Sequence, residues 1–80
     1  MDKPRSITQR YFRYVIRRLR QDRNLTQDQL SERIGISTGF LGMMEIGRKW
    51  PNIDMLFRIA AALDVRPGEL LDELEREARK

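Results

Sequence analysis

The 80-residue sequence contains no cysteine and no histidine. Their absence excludes disulfide bonds, thiol nucleophiles, imidazole acid–base catalysis and the common zinc ligand sets. No apolar run approaches the roughly 20 residues that are needed to span a bilayer, and the N-terminal residues lack the apolar stretch of a secretory signal. Since the lack of cysteine also fits a reducing compartment, we expect a cytoplasmic protein with no membrane association, no metal and no cofactor.

The sequence also lacks the arrangements of residues that are typical of active sites. The sequence offers no pairing of a nucleophile with a base, no set of carboxylates on one face and no phosphate-binding loop. A chain of this length forms one domain with a small core, which leaves no room for a separate ligand-binding domain. An enzyme is therefore the least favoured class of protein.

Charge is distributed unevenly along the chain. Residues 1–50 carry 11 Lys/Arg and 5 Asp/Glu, whereas residues 51–80 carry 5 Lys/Arg and 7 Asp/Glu. A basic first part suits a protein that turns one side toward a polyanion. A solvated mixture of charges would give the same composition, so charge alone does not decide between the two.

Apolar residues recur at helical spacing along the chain, and no alternating strand pattern competes. Residues that favour helix starts precede the segments, with N-caps at Ser6, Thr26, Ser37 and Asn52 and a first-turn proline at Pro67. Residues that tolerate a left-handed conformation follow three of them, namely Asn24, Gly35 and Asp64. The pattern predicts an all-α fold with five helices at residues 7–23, 27–34, 38–46, 53–63 and 67–78, after a flexible arm at residues 1–6.

The second and third predicted helices are joined by a tight turn. Leu30 and Ile34 share one face of the second helix, Gly35 turns the chain, and Leu41 and Met44 point inward from the third. This arrangement is a helix-turn-helix pattern, in which the second helix of the pair usually lies in the major groove of DNA. The pattern therefore predicts double-stranded DNA as a partner.

Several segments match a known family in register between Val15 and Leu71: I-R-R-L-R-Q-D-R-N-L-T-Q-D-Q-L, I-G-I-S, M-E-I-G-R-K-W-P and L-F-R-I-A-A-A-L-D-V-R-P-G-E-L-L. With them, the chain resembles the repressor/Cro-type (XRE-type) helix-turn-helix family. The segment F-L-G-M-M-E-I-G-R is also similar to restriction–modification controller proteins, which are small members of that family. The resemblance implies a five-helix, repressor-like domain that binds DNA as a dimer and regulates transcription.

The resemblance also implies a role for particular residues at the DNA. Thr38, Gly39 and Met43 match the outward positions of the recognition helix and are expected to contact bases. The expected phosphate contacts are Gln27, Ser37, Arg48 and Lys49. Of these, Ser37 is first of all a helix cap, and its phosphate contact would come from the exposed N-terminus of the third helix. Gln27 has no structural partner that the sequence reveals, which favours its phosphate role.

The remaining expected roles are structural. Arg20 and Glu45 match a pair that joins the first helix to the third and stabilises the fold. Trp50, in a loop beside a proline, either anchors that loop or lies at a dimer interface. Exposed leucines on the fifth helix suggest a second site of self-association, for which Leu71 and Leu74 are the candidates.

Two functions remain open at this point. The first is a sequence-specific transcriptional regulator that binds a palindromic operator as a homodimer, which would place its recognition helices about 34 Å apart. The second is a protein-interaction module, such as the antitoxin of a toxin–antitoxin pair, with a protein partner. The weakly polar recognition helix favours the second and the basic first part of the chain opposes it. The two are not exclusive.

Overall fold

The computed structural model describes residues 6–80, so all of the predicted arm except Ser6 lies outside the described residues. Five α-helices and no strand occur in this part of the chain: α1 (Ile7–Asp22), α2 (Gln27–Ile34), α3 (Thr38–Glu45), α4 (Ile53–Ala62) and α5 (Pro67–Ala78). The all-α prediction is confirmed. The predictions for α1, α3 and α4 each run one residue too far, because Arg23, Ile46 and Leu63 are the C-caps of those helices.

The local signals in the sequence set where the helices begin and end. Four N-cap side chains accept a hydrogen bond from the backbone N–H three residues later, namely Ser6, Thr26, Ser37 and Asn52. Asn24 and Asp64 have φ of 55° and 57°, and Gly35 has φ of 85°. These are left-handed conformations, which stop α1, α4 and α2 and turn the chain back toward the core.

The core draws on all five helices. Its buried apolar side chains are Phe12, Val15, Ile16, Leu19, Leu30, Ile34, Leu41, Met44, Leu56, Ile59, Ala60, Leu63, Leu70 and Leu74. Helix α1 packs against α3 and α5, and α2 packs against α3 and α4. The α2–α3 pair is therefore held from two sides, and the outer face of α3 keeps a fixed orientation relative to the rest of the domain.

Helix α5 corrects one prediction. Leu74 is only 6% exposed and packs in the core, so the expectation that it is an exposed residue for self-association is wrong. It lies four residues after the buried Leu70, and residues at that spacing share one face of a helix. Leu71 is 49% exposed and remains a candidate.

Ion pairs tie α1 to α5 across the surface. The guanidinium of Arg18 donates to Glu73 at 2.6 Å and to Glu77 at 2.9 Å. Arg76 donates to the other carboxylate oxygen of Glu73 at 2.7 Å. The hydrogen bond from Arg76, followed by the positive charges of Arg76 and Arg18, holds the pKa of Glu73 below its usual value.

This lowered pKa predicts an acid-sensitive contribution to stability. The contribution is complete at pH values above the pKa of an unfolded glutamate and is lost as the pH falls through the lower pKa of the folded state. We expect Glu73→Gln to lose at most about 1 kcal/mol of unfolding free energy near neutral pH, since the carboxylate is partly exposed. Urea unfolding at about pH 6 and about pH 3 should show a smaller acid-induced loss for Glu73→Gln than for the wild type. Glu75→Gln, at an exposed carboxylate, is the matched control, and equal acid-induced losses for both variants would contradict the assignment.

Candidate nucleic-acid interface

Helix α3 separates an inward face from an outward one. Leu41, Met44 and Glu45 are buried on the inward face. On the other side Thr38 and Gly39 are exposed and Met43 is half-buried. The structure thus places the three residues that were predicted to contact bases on one accessible surface.

The hydroxyl of Thr38 is already engaged by α2. Thr38 Oγ1 donates to Asp28 Oδ1 at 2.7 Å, and it lies 3.0 Å from Ser31 Oγ. Ser31 is 3% exposed and also lies within hydrogen-bond distance of the backbone carbonyl of Asp28, at 3.0 Å. The contacts of Thr38 with Asp28 and Ser31 were not predicted, because they cross the turn between α2 and α3 and join residues that no sequence period relates.

Glu45 is the buried polar centre of the α1–α2–α3 junction. Its side chain is 1% exposed and accepts two hydrogen bonds from Arg20, from Nε at 2.7 Å and from Nη2 at 2.9 Å. Arg20 Nη1 donates to the backbone carbonyl of Leu25 at 2.8 Å. The bond to Glu45 raises the pKa of Arg20 above its ordinary value. The predicted pair of Arg20 and Glu45 is therefore a bidentate salt bridge that holds α3 against α1.

Gln27 has a structural partner that the sequence analysis missed. Its side-chain amide Nε2 donates to Glu45 Oε1 at 3.2 Å. The statement that Gln27 lacks a structural partner is therefore wrong. The residue is half-buried at the first position of α2, so the same amide is held at the edge of the surface that carries Thr38.

The loop after α3 carries the predicted basic pair. Both Arg48 and Lys49 are exposed, and their backbone N–H groups donate to the carbonyl of Met43 at 2.9 Å and 3.2 Å. These bonds fold the loop back onto the end of α3, with Gly47 at φ 80° making the turn. Two positive side chains consequently follow directly on the C-terminal end of α3.

Helix α4 carries two exposed apolar side chains outside the core. Ile53 is 65% exposed and Phe57 is 58% exposed, and they lie four residues apart on one helix face. We call this pair the α4 apolar face. Trp50, just before it in the chain, is 44% exposed. The α4 apolar face was not predicted, because only the buried stripe of that helix follows the core periodicity. The spacing of two large apolar residues away from the stripe was the available signal.

Two negative findings apply to the part of the chain from Ser6 onward. None of its helices is long and apolar enough to cross a membrane. No group of acidic side chains in it is arranged to hold a metal ion.

Known proteins show the same fold and sequence pattern. A family model described as "Helix-turn-helix" matches residues 16–70. An uncharacterized HTH-type transcriptional regulator, y4dJ of Sinorhizobium fredii, is 39% identical over 54 residues, which cover 68% of this chain and 70% of that protein. The crystal structure of the restriction–modification controller protein C.AhdI from Aeromonas hydrophila is 28% identical, with a TM-score of 0.71 over 80% of this chain and 94% of that one.

A third known protein, a regulator with a different name, also has a structure similar to that of this chain. The clp gene regulator ClgR from Corynebacterium glutamicum is 26% identical, with a TM-score of 0.80 over 90% of this chain and 77% of that one. The matched residues include α2, the turn and α3, which are the elements that build the surface described above. The chain belongs to the XRE-type helix-turn-helix family of DNA-binding transcriptional regulators.

Proposed function

We propose that this chain is a sequence-specific transcriptional regulator that acts in the cytoplasm and binds a palindromic operator as a homodimer. The observation that carries the proposal is the single surface formed by the outward side of α3 and the basic loop behind it. A recognition helix reads base edges in the major groove while flanking groups hold the phosphates. The order of residues on this surface fits that division.

The phosphate contacts come from both ends of the surface. Arg48 and Lys49 are exposed and held beyond the C-terminal end of α3. At the other end, Gln27 gives one amide hydrogen to Glu45, and an amide nitrogen carries a second hydrogen that can reach a phosphate oxygen. Ser37 caps α3 at the end where the helix dipole favours an anion. These groups bind any DNA sequence and supply most of the affinity.

The base contacts come from Thr38, Gly39 and Met43. The methyl of Thr38 and the side chain of Met43 are apolar groups that suit contact with a thymine methyl. Gly39 has no side chain, so the backbone there can approach the DNA closely. A Cβ placed on Gly39 would meet no atom closer than Ser37 Oγ at 4.0 Å. Packing within the protein therefore leaves space for a side chain there, which supports a role for this glycine in an approach by a ligand.

Self-association is assigned to exposed apolar residues outside the DNA surface. The α4 apolar face offers two side chains that are each more than half exposed, and Trp50 and Leu71 are the further candidates. A symmetric dimer is the commonest oligomer. It would present two α3 helices to successive major grooves about 34 Å apart, which is the spacing that a palindromic operator requires.

Selection of binding sites from random duplex DNA, followed by fluorescence anisotropy across a salt series, tests this function. We expect a palindromic consensus that is bound about 1,000-fold more tightly than scrambled DNA, with affinity falling steeply as salt rises. Equal weak binding to every duplex would reject sequence-specific regulation. If the protein binds no DNA even at low salt, the result would favour the alternative function, a protein-interaction module.

Lys49→Ala and Met43→Ala form a matched pair of variants on the two parts of the surface. Lys49→Ala should weaken binding to all sequences alike and reduce the salt slope by about one unit, because one phosphate contact is lost. Met43→Ala should leave the salt slope unchanged. At one position of each half-site, it should change the difference in binding free energy between the preferred base and the other bases by about 1–3 kcal/mol. Anisotropy on the selected and the scrambled duplex measures both quantities. Equal losses on the two duplexes for Met43→Ala would remove it from the base contacts.

A further inference from the structure

We infer that Asp28, held by Thr38, is a specificity-determining residue that accepts a hydrogen bond from the exocyclic amino group of a cytosine. This inference rests on the function proposed above. It starts from the hydrogen bond between α2 and α3, which joins an exposed carboxylate to the first residue of the recognition helix. The first residues of such a helix are those that contact base edges, so Asp28 belongs to the same surface although it lies on α2.

The hydrogens on this surface can be counted. An ionised carboxylate only accepts, so the single hydroxyl hydrogen of Thr38 points at Asp28 Oδ1, 2.7 Å away. Thr38 Oγ1 can then only accept, and the buried Ser31 hydroxyl lies 3.0 Å from it. Thr38 therefore presents its methyl group and an oxygen with no hydrogen to give. Its side chain cannot donate to guanine or to thymine while this bond exists.

The other two side chains proposed for base contact supply no donor either. Gly39 has none and Met43 carries only a thioether, which is a weak acceptor. Asp28 is exposed, and its second carboxylate oxygen is an acceptor beside the first residue of α3. The base that complements these acceptor-only side chains is one that offers a hydrogen, which means the amino group of cytosine or of adenine.

Cytosine is the better complement to a carboxylate. Its major-groove edge carries the N4 amino donor alone, whereas adenine places the N7 acceptor beside its N6 amino group. Guanine N7 and O6 and thymine O4 are acceptors that would face the negative charge directly. The negative charge of Asp28 also weakens binding at incorrect DNA sites. There the carboxylate lies near phosphates or base acceptors, which repel it, and no amino group is present to pair with it. Asp28 would therefore favour sites with cytosine at this position and disfavour sites with guanine or thymine there.

Asp28→Asn is the decisive variant, because the amide keeps the size of the side chain, loses the charge and gains a donor. Sites are selected from random duplex DNA with the wild type and with the variant. We expect the wild type to prefer cytosine by about tenfold at one position of each half-site. Asp28→Asn should lose that preference while the remaining positions of the consensus stay unchanged. Glu32→Gln, which removes the same charge from an exposed acid on the same helix, should bind all DNA somewhat more tightly and keep the cytosine.

Thr38→Val provides the second test. It retains the methyl group and removes the hydroxyl that holds Asp28, so the cytosine preference should weaken at the same position. If Asp28→Asn and Glu32→Gln raise affinity alike without changing any base preference, Asp28 is merely a surface charge and the inference is overturned. A wild type whose consensus contains only A·T pairs, and therefore no cytosine on either strand, would overturn it as well. A wild type that selects no sequence at all would instead reject the proposed function itself, and the two failures are therefore distinguishable.

Discussion

Replacing Glu45 by alanine should lower the free energy of unfolding by about 3–5 kcal/mol, because it leaves a partner charge buried without compensation. Glu45 is 1% exposed and Arg20 is 14% exposed at the side chain. Arg20 makes its hydrogen bonds to Glu45 from two nitrogens, and Gln27 donates to the same carboxylate. A small domain has a total stability of about 5–15 kcal/mol, so this one change should remove a large part of it.

Urea unfolding followed by circular dichroism measures the loss. The matched control is Glu69→Ala, which removes a pair with Arg66 whose two side chains are 87% and 51% exposed, together with the hydrogen bond from the backbone N–H of Arg66, and which should cost far less because water screens the exposed pair. The double variant Arg20→Met/Glu45→Met should recover part of the loss, since neither charge is then left buried alone. A loss for Glu45→Ala as small as that of Glu69→Ala would show that the bridge does not stabilise α3 against α1.

The helices could be predicted because their signals are local. Ser6, Thr26 and Asn52 cap the helices that follow them. Each cap bonds a backbone group three residues away, so a short window of sequence contains all of the interaction. Asn24 and Asp64 likewise stop their helices by their own backbone preference. The helix ends of the structure lie within one residue of the predicted ones.

The contacts between helices could not be derived in the same way. The Thr38–Asp28 bond and the Gln27–Glu45 bond each cross from α2 to α3. Whether such side chains meet depends on the angle at which the two helices pack, and the core sets that angle. The pairing of Arg20 with Glu45 was expected only from the resemblance to a family.

The leucines of α5 likewise could not be divided into core and surface residues from the sequence alone. The sequence offers Leu70, Leu71 and Leu74, and a helical stripe can be drawn through any of them. Packing against α1 selects Leu70 and Leu74 for the core and leaves Leu71 outside. The direction of the neighbouring helix decides between residues that the periodicity of a single helix leaves equivalent.

Phe57→Glu should convert the protein to a monomer and reduce its affinity for the palindromic operator by about 100-fold or more, because the second half-site is then no longer bound by a linked partner. Phe57 is 58% exposed, so a glutamate there meets solvent and the fold should be unchanged. Sedimentation velocity reports the oligomeric state, and anisotropy on the full operator reports the affinity.

A second duplex that contains only one half-site separates loss of the dimer from damage to the DNA surface. Phe57→Glu should bind this half-site as well as Ile7→Glu does, because Ile7 is 54% exposed at the start of α1 and its substitution makes the same change of charge. On the full operator, only Phe57→Glu should lose affinity. A dimeric Phe57→Glu protein together with a monomeric Leu71→Glu protein would move the interface to α5. If α3 reads one half-site by itself, as proposed, the affinity lost with the dimer measures the contribution of the spacing between two helices. The affinity that remains on the half-site measures the contribution of the residues on one helix.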